Sequence, residues 1–310
     1  MKRYGLMQKF LRFFRRLLGT EQIMEQLGDL QHLMLKQKQI LNILGNALKY
    51  SLTDQEKVKT TTAYKRCFDI VSLFSPMDVK GGKYVRVGSN YDGGYVMLDD
   101  FQKEKVDAAY SFGICDDVSW DEAIANRGID VFMFDHTIDR LPKYHPKFHY
   151  FKMGVTGYEK GANLKTLGEL IIENGHTTCK NLIMKMDVEG CEWDTFTETK
   201  SDVISQFSQI VVEFHNLFSA IYDQKHLSIM NVLKKINQTH QSIHVHANSR
   251  NNALWIGPLV FPEVLEVTYI RRTDADDKLI ANTRQFPTEI DQTNVSNLPD
   301  IYLGSFSGVD

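Results

Sequence analysis

The sequence predicts an α/β fold in which a mainly parallel sheet is covered by helices on both faces. Short apolar runs of strand length alternate with stretches of helical periodicity, and this alternation continues over about 250 residues. The predicted strands are 108–112, 131–134, 148–153, 182–186, 210–214, 243–247 and 265–270, and the predicted helices are 120–127, 164–174, 192–199 and 227–236. In such a sheet, ligands bind at the carboxyl ends of the strands.

Composition narrows the class of protein. The 310 residues include 36 Lys and Arg and 39 Asp and Glu, so the net charge of -3 provides no general basic field and argues against nucleic-acid binding. Four cysteines, Cys67, Cys115, Cys179 and Cys191, form no CxxC pair and have no disulfide-framework spacing, which favours reduced thiols and a cytoplasmic location. No run approaches the ~20 apolar residues of a membrane-spanning helix.

Residues 1–20 are predicted to form a basic amphipathic helix. Apolar residues recur at helical spacing, opposite a face rich in arginine, at Leu6, Phe10, Phe13, Phe14 and Leu17. This pattern is typical of a helix on an anionic membrane surface, here the inner face, through residues 1–18. A helix that docks on its own domain would show the same pattern, and the sequence does not separate the two.

A coiled-coil segment is predicted over residues 21–50. Four-three spacing runs through Ile23, Leu27, Leu30, Met34, Gln37, Leu41, Leu44 and Leu48. This seam predicts self-association as a dimer through residues 23–48, and its single polar position can fix the register. The alternative is an intramolecular helical hairpin with residues 1–18. Residues 51–62 are polar and predict a linker, so the catalytic domain is expected at 63–310.

Two strand ends point to an adenosine-containing cofactor. The strand in SFGICDD is followed by Gly113, which permits a sharp turn close to a ligand. The next strand ends in FMFDHT, and Asp135 is placed to accept hydrogen bonds from both ribose hydroxyls. A dinucleotide would favour a GxGxxG turn for its pyrophosphate. Because only one glycine is present, these features favour S-adenosyl-L-methionine, which has no phosphate, over NAD.

A third strand end carries carboxylates. In NLIMKMDVEGCEWDTF, Asp187 and Glu189 follow the strand and Gly190 leads into a helix. Two carboxylates at a sheet edge are costly unless they hold a positive group, such as a sulfonium, an amine or a metal ion. Glu192 and Asp194, one turn further, are interpreted as acids that satisfy the helix dipole.

These segments together resemble the FkbM-type methyltransferase family. The resemblance lies in KMDVEGCEW, YSFGICDDVSWDEAI with FMFDHT, VRVGSNYDGGYVM, VVEFH and HVHAN, in that order over roughly residues 80–250. It implies a Rossmann-like class I methyltransferase sheet and S-adenosyl-L-methionine as cofactor. The residues that it assigns to the cofactor pocket are Gly113, Asp135 and Asp187, with Asp92, Gly93, Gly94 and Tyr95 closing over it.

Two pairs of residues are candidates for the proton transfer. Glu213 and His215 share one face of a strand, as do His244 and His246 on another. Attack of a hydroxyl on the sulfonium methyl is helped by a base, and His215 is the first candidate and His246 the second, with Asp187 and Glu213 as further catalytic candidates. The same residues have the ligand types of a divalent-metal site, but magnesium seldom selects imidazole and a metal is not favoured. Purely structural histidines are a third interpretation.

The sequence therefore predicts an O-methyltransferase that acts on a hydroxyl of a sugar, either nucleotide-linked or a surface-polysaccharide precursor. The sugar substrate is implied by the family resemblance alone. Two other classes remain open: a membrane-associated coiled-coil scaffold with a non-catalytic domain, and an HxH metal-dependent hydrolase or oxygenase.

Overall fold

The computed structural model describes residues 44–45, 47–51, 53–101, 105–158, 161–275 and 277–305. The strands are β1 Met77–Val79, β2 Tyr84–Val87, β3 Tyr95–Leu98, β4 Ala108–Phe112, β5 Val131–Phe134, β6 Phe148–Phe151, β7 Gly154–Val155, β8 Leu164–Lys165, β9 Leu182–Met186, β10 Phe207–Phe214, β11 His240–Ala247, β12 Ala253–Ile256, β13 Leu259–Pro262, β14 Leu265–Arg271, β15 Leu279–Ala281, β16 Gln285–Phe286 and β17 Gly304–Ser305. The helices are α1 Gln55–Lys59, α2 Thr62–Phe74, α3 Ser119–Ala125, α4 Leu167–Glu173, α5 Glu192–Glu198, α6 Ser201–Ile204, α7 Asp223–Asn237 and α8 Arg272–Ala275, with a 3-10 helix at Leu217–Ile221.

Seven strands form the central sheet in the order β11-β14-β10-β9-β4-β5-β6. Neighbours from β10 to β6 are parallel, and β14 is antiparallel to both β10 and β11. This is the mainly parallel, Rossmann-like sheet that the sequence predicts, and all seven predicted strands belong to it. The carboxyl ends of β4, β5, β9 and β10 therefore lie along one edge.

Both faces of the sheet are buried. Along β9, Ile183 packs into one hydrophobic cluster with Trp120 of α3, and Met184 packs into another with Ile229 of α7. Strand side chains alternate between the faces, so successive apolar residues can all be buried only when helices cover both. The continuous apolar runs of the sequence have this cause.

The predicted helix 164–174 begins later than expected. Leu164 and Lys165 form β8, which pairs with β7. Thr166 then caps α4: its side chain accepts a hydrogen bond from the Glu169 N–H, and the Glu169 side chain accepts from the Thr166 N–H. This capping box fixes the helix start at Leu167.

The segment predicted as a linker is packed against the domain. Its α1 helix buries Val58 completely, and Ser51 Oγ accepts a hydrogen bond of 3.0 Å from the N–H of Gly257, in the β12–β13 turn. Residues 44, 45 and 47–51 are also helical, and Leu44 and Ala47 join the hydrophobic core of the domain. Leu48, the last position of the predicted seam, is 47% exposed. The end of that seam thus contacts its own domain.

The basic helix predicted at 1–20 and most of the predicted coiled coil lie outside the described residues. Within the part of the chain that the structure describes, no helix is long and apolar enough to cross a membrane.

Candidate active site

A cavity of about 640 Å³ lies at the carboxyl ends of β4, β5 and β9. The residues that line it are Asp92, Gly93, Gly113, Ile114, Cys115, Asp116, Asp117, Trp120, Phe134, Asp135, His136, Thr137, Gly154, Val155, Lys185, Asp187, Val188, Glu189, Cys191 and Arg250. Gly113, Asp135 and Asp187, which the sequence assigns to one pocket, are thus brought together. The volume lies within the range of small-molecule sites, ~300–1,000 Å³.

Gly113, directly after β4, lies against the turn that follows β9. Its φ angle is +74°, and a Cβ atom at this position would lie 1.6 Å from the Asp187 carbonyl oxygen. Any side chain would therefore separate the turn after β4 from the turn after β9. This close approach also allows Lys185 to donate a hydrogen bond of 2.5 Å from Nζ to the Gly113 carbonyl.

The carboxylate of Asp135 holds the turn that follows β4. Its Oδ2 accepts hydrogen bonds of 2.9 Å from the backbone N–H groups of Ile114 and Cys115, and its Oδ1 accepts from the N–H and hydroxyl of Thr137 at 2.7 and 2.6 Å. Burial would raise the pKa of Asp135, but these hydrogen bonds outweigh it and lower the pKa. Four donors already use its acceptor sites, so Asp135 first positions this turn, and ribose hydroxyls would have to share or displace these bonds.

The strand-turn-strand element contributes only partly to the cavity surface. Asp92 and Gly93 line the cavity, whereas Gly94 and Tyr95 are buried beneath it. The Tyr95 hydroxyl lies 3.5 Å from Asp187 Oδ2 and 3.4 Å from Glu213 Oε2. Of the four residues expected to close over the pocket, Asp92 and Gly93 line the cavity, while Tyr95 contacts the carboxylates of Asp187 and Glu213.

A row of ionisable side chains crosses the sheet beside the cavity. Glu213 of β10 stands opposite Glu266 of β14, which stands opposite His246 of β11. Asp187 follows β9, the other neighbour of β10, and belongs to the same row. Glu213 is 4% exposed, and its pKa is raised well above the ordinary value by burial and by the charges of Asp187 and Glu266.

His215 sits among carboxylates. Its Nδ1 lies 3.3 Å from Glu192 Oε1, and its Nε2 lies 3.6–3.8 Å from oxygens of Asp187, Glu189 and Glu213. Burial disfavours the charged imidazole, but the hydrogen bond and charge of Glu192, with the charges of Glu213 and Asp187, raise the pKa to about 9. His215 is therefore protonated at neutral pH in this arrangement. A protonated imidazole cannot accept a proton, which argues against the role of His215 as a simple general base.

His246, the second candidate base, has no free nitrogen. It is 2% exposed, its Nδ1 is 3.0 Å from Glu266 Oε2, and its Nε2 is 2.9 Å from Asp300 Oδ1. His244 pairs through Nε2 alone, with Asp291 Oδ1 at 2.8 Å. Both histidines attach the C-terminal segment to β11, and neither belongs to a three-residue group with metal-ligand spacing in the described chain. The contacts of this pair in the described chain thus favour a structural role for His244 and His246.

Three residues contact the site although the sequence patterns predict no role for them there. Glu192 is fully buried and accepts hydrogen bonds from the backbone N–H groups of Gly190 and His215 at 2.9 and 2.6 Å, so it does more than satisfy a helix dipole. The Asn248 side chain donates a hydrogen bond of 2.7 Å to Glu213, and Arg250 forms an ion pair of 3.0 Å with Asp92. Asn248 and Arg250 follow β11 directly, in the segment HVHANSR, so their place after a predicted strand was the available signal.

The turns at this edge are conformationally unusual. Three described residues other than glycine have positive φ: Cys115 at 49°, Glu189 at 55° and Asn216 at 60°. They follow β4, β9 and β10, the strands that end at the cavity and at His215. Left-handed residues other than glycine cost ~1–3 kcal/mol each and cluster at functional sites.

A family model described as a methyltransferase domain matches residues 74–254, from the end of α2 to β12. That match covers more than half of the chain. The chain belongs to this methyltransferase family. No curated protein matches the sequence. The methyltransferase match includes the strands and turns that build the cavity and His215, and it places Asp291 and Asp300, the partners of His244 and His246, outside the matched region.

Proposed function

We propose that this methyltransferase moves a methyl group from S-adenosyl-L-methionine to a hydroxyl oxygen of a sugar-containing substrate. The observation that carries this proposal is the acidic cavity at the carboxyl ends of β4, β5 and β9. Its lining contains six carboxylates, those of Asp92, Asp116, Asp117, Asp135, Asp187 and Glu189, against the two cations Lys185 and Arg250. Such a lining favours a ligand with a sulfonium and an amino group and disfavours a pyrophosphate.

The residues present fit this cofactor. The apolar side chains of Ile114, Phe134 and Val155 offer a surface for an adenine ring, and the Gly113 turn brings backbone close to the ligand. Asp187, at the junction of the cavity and the carboxylate row, would lie near the positive sulfonium. The bound cofactor would supply an electrophilic methyl group, and the protein would hold the hydroxyl in line with it.

The hydroxyl proton must leave as the oxygen–carbon bond forms. Because His215 is protonated in this arrangement, the acceptor comes from the carboxylates around it, of which Asp187 and Glu189 line the cavity. His215 then acts by stabilising the negative charge of these carboxylates. This arrangement retains Asp187, Glu213 and His215 as the catalytic group and leaves His246 out.

The choice of a sugar hydroxyl rests on the FkbM-type resemblance of KMDVEGCEW and its companion segments. Candidate substrates are nucleotide-linked sugars and surface-polysaccharide precursors. The test is to incubate the purified methyltransferase with S-adenosyl-L-methionine and a panel of such sugars and to look for products 14 Da heavier, the mass of one CH₂, by mass spectrometry. Methylation of peptides or nucleic acids alone would overturn the sugar assignment.

Calorimetry with S-adenosylhomocysteine tests the cofactor. The expected result is binding of one molecule per chain, weakened in Asp187→Asn and unchanged in Asp194→Asn, a matched acid that is exposed one turn into α5. No detectable binding to the intact protein would overturn the cofactor assignment and would favour the non-catalytic scaffold.

We also propose that residues 1–18 bind the anionic inner face of a membrane and that the seam of residues 23–48, apart from Leu44, which packs in the domain core, forms a homodimer. Each basic residue near such a surface contributes on the order of 1 kcal/mol. Removal of residues 1–43 is the suitable test, because Leu44 and Ala47 lie in the domain core. The truncated protein should no longer sediment with anionic liposomes and should become a monomer by light scattering. Unchanged sedimentation or a persistent dimer would refute the corresponding half.

A further inference from the structure

The imidazole of His215 is oriented as metal-bound imidazoles are. Its Nδ1 side faces the buried carboxylate of Glu192, which also accepts the His215 backbone N–H at 2.6 Å. A histidine that ligates a metal through one nitrogen usually donates the other N–H to a carboxylate or carbonyl. His215 is 8% exposed, and its Nε2 makes no hydrogen bond to any described residue.

The Nε2 atom faces three carboxylates. It lies 3.8 Å from Asp187 Oδ1, 3.7 Å from Glu213 Oε1 and 3.6 Å from Oε2 of the exposed Glu189, too far for hydrogen bonds. One ligand atom each of Asp187, Glu213 and His215 lie within 4.8 Å of one another. Around a divalent ion with ligands at ~2.0–2.2 Å, neighbouring ligand atoms lie roughly 3.3–3.6 Å apart in a tetrahedral site. The separations thus fit a shared ion with a small contraction.

Charge compensation separates these residues from the rest of the row. Glu266 pairs with His246 at 3.0 Å and Asp92 pairs with Arg250 at 3.0 Å, so both of those carboxylates have a close cation. Within the described chain, Asp187 and Glu213 have no ion pair as short as these: His215 lies 3.7–3.8 Å from both, and Lys185 acts on Asp187 through its charge. The Tyr95 hydroxyl lies 3.4–3.5 Å from the two carboxylates. Asn248 fixes the Glu213 carboxylate by a hydrogen bond of 2.7 Å. Two poorly compensated carboxylates, one of them buried, therefore face one oriented imidazole.

We propose that Asp187, Glu213 and His215 bind one divalent transition-metal ion, of the Mn²⁺ or Zn²⁺ type, at the inner edge of the cavity. One imidazole with two carboxylates suits these ions better than magnesium, which prefers an all-oxygen shell. Asp187 belongs both to the proposed metal site and to the cavity lining, so a bound ion would be reached from the cavity.

The role of the ion in catalysis rests on the proposed methyl transfer. An ion in this position would bind the substrate oxygen and make its hydroxyl easier to deprotonate. The proton would pass to the exposed carboxylate of Glu189, the oxygen–methyl bond would form as the sulfur–methyl bond breaks, and the neutral thioether would leave. His215 would bind the ion as a neutral imidazole through Nε2, and the ion would supply positive charge among these carboxylates.

Metal titration of the intact protein tests the site. Calorimetry with Zn²⁺ and electron paramagnetic resonance with Mn²⁺ should each show one ion per chain. His215→Asn should weaken binding more than ~10-fold, and Glu192→Gln, which changes only the residue that orients His215, should weaken it by ~10–100-fold. His226→Asn is the matched control, because His226 is 9% exposed and pairs only with Asp69, on α2.

The outcomes separate this proposal from the proposed function. Stoichiometric binding that is lost in the His215 and Glu192 variants and kept in His226→Asn supports the site. The absence of stoichiometric binding, or equal binding by the wild type and both variants, overturns it, even if S-adenosylhomocysteine binds normally. If His215→Asn fails to fold by circular dichroism, Glu192→Gln decides alone. Stoichiometric metal binding without S-adenosylhomocysteine binding would keep the metal site and reject the methyl transfer.

Discussion

Replacement of Gly113 by alanine tests the junction that brings the strand ends together. Two separate costs act at this position. The φ angle of +74° is in the left-handed region, which costs an alanine ~1–2 kcal/mol. In addition, the new Cβ would lie 1.6 Å from the Asp187 carbonyl oxygen, so the two turns must move apart by about 2 Å to reach van der Waals contact.

That movement acts on hydrogen bonds of the same turns. Gly113 donates to the Phe134 carbonyl at 3.1 Å, and the Asp187 N–H donates to the Phe112 carbonyl at 3.0 Å. Each such bond contributes about 0.5–1.5 kcal/mol. The expected loss of unfolding free energy for Gly113→Ala is therefore about 2–5 kcal/mol.

Gly128→Ala is the matched control. Gly128 also has a positive φ, +89°, but a Cβ there would meet nothing within 4 Å, so only the conformational cost of ~1–2 kcal/mol applies. Urea unfolding followed by circular dichroism measures both variants, and calorimetry measures their affinity for S-adenosylhomocysteine. Gly113→Ala should lose cofactor affinity and Gly128→Ala should keep it. Equal unfolding free energies for the two variants would refute the close approach as the reason for glycine at position 113.

Three further predictions follow from single contacts. Leu44→Ala should lower the unfolding free energy by about 2–5 kcal/mol because Leu44 is 6% exposed, whereas Leu48→Ala, at 47% exposure, should change it by less than ~0.5 kcal/mol in urea unfolding; equal losses would contradict the burial of the seam end in the domain. Asp135→Ala should lower the unfolding free energy by about 2–4 kcal/mol in the same assay, since it leaves three backbone N–H groups without this acceptor, and Asp135→Asn should lose about half as much; an unchanged unfolding free energy for Asp135→Ala would refute its role in the turn. His246 is buried, but Glu266 and Asp300 raise its pKa well above the unfolded value of ~6.5. Its contribution to the unfolding free energy is therefore complete below pH ~6.5 and declines as the pH rises through the folded pKa. The difference in unfolding free energy between the wild type and His246→Gln should shrink from pH 6 to 9, and a difference that grows would contradict this assignment.

The sheet could be predicted because its determinants are local. Strands such as β4, β5 and β9 are continuous apolar runs, and the alternation with helices fixes their parallel arrangement. The start of α4 was misplaced because Leu164 and Lys165 fit a helical pattern, and only pairing with β7 makes them a strand. The pairing of β1 with β15 and of β16 with β17 depends on contacts between segments distant in the chain, which periodicity does not report.

The candidate site was predicted in its positions more than in its chemistry. Strand ends located Gly113, Asp135 and Asp187, since parallel strands of one sheet end at one edge. The protonation state of His215 could not be predicted from the sequence, because it depends on Glu192. The sequence around Glu192 does not show whether its side chain faces solvent or the core. His246 was misjudged for the same reason: its partner Asp300 is 54 residues away in the chain.

The distribution of charge would also constrain how the proposed sugar substrate enters. A diphosphate would meet the carboxylates of Asp116, Asp117 and Glu189 at the cavity surface, and only Arg250 and Lys185 would oppose them. Two like charges 4 Å apart repel each other by ~1 kcal/mol in water and by ~4 kcal/mol near a protein surface. Several such repulsions would outweigh the binding energy that a correctly placed sugar hydroxyl contributes. A nucleotide-linked sugar would therefore bind with its diphosphate outside the cavity. Its reactive hydroxyl would lie on the side of the sugar ring away from the diphosphate. A neutral glycan carries no such restriction, which makes a hydroxyl remote from phosphate the first to test.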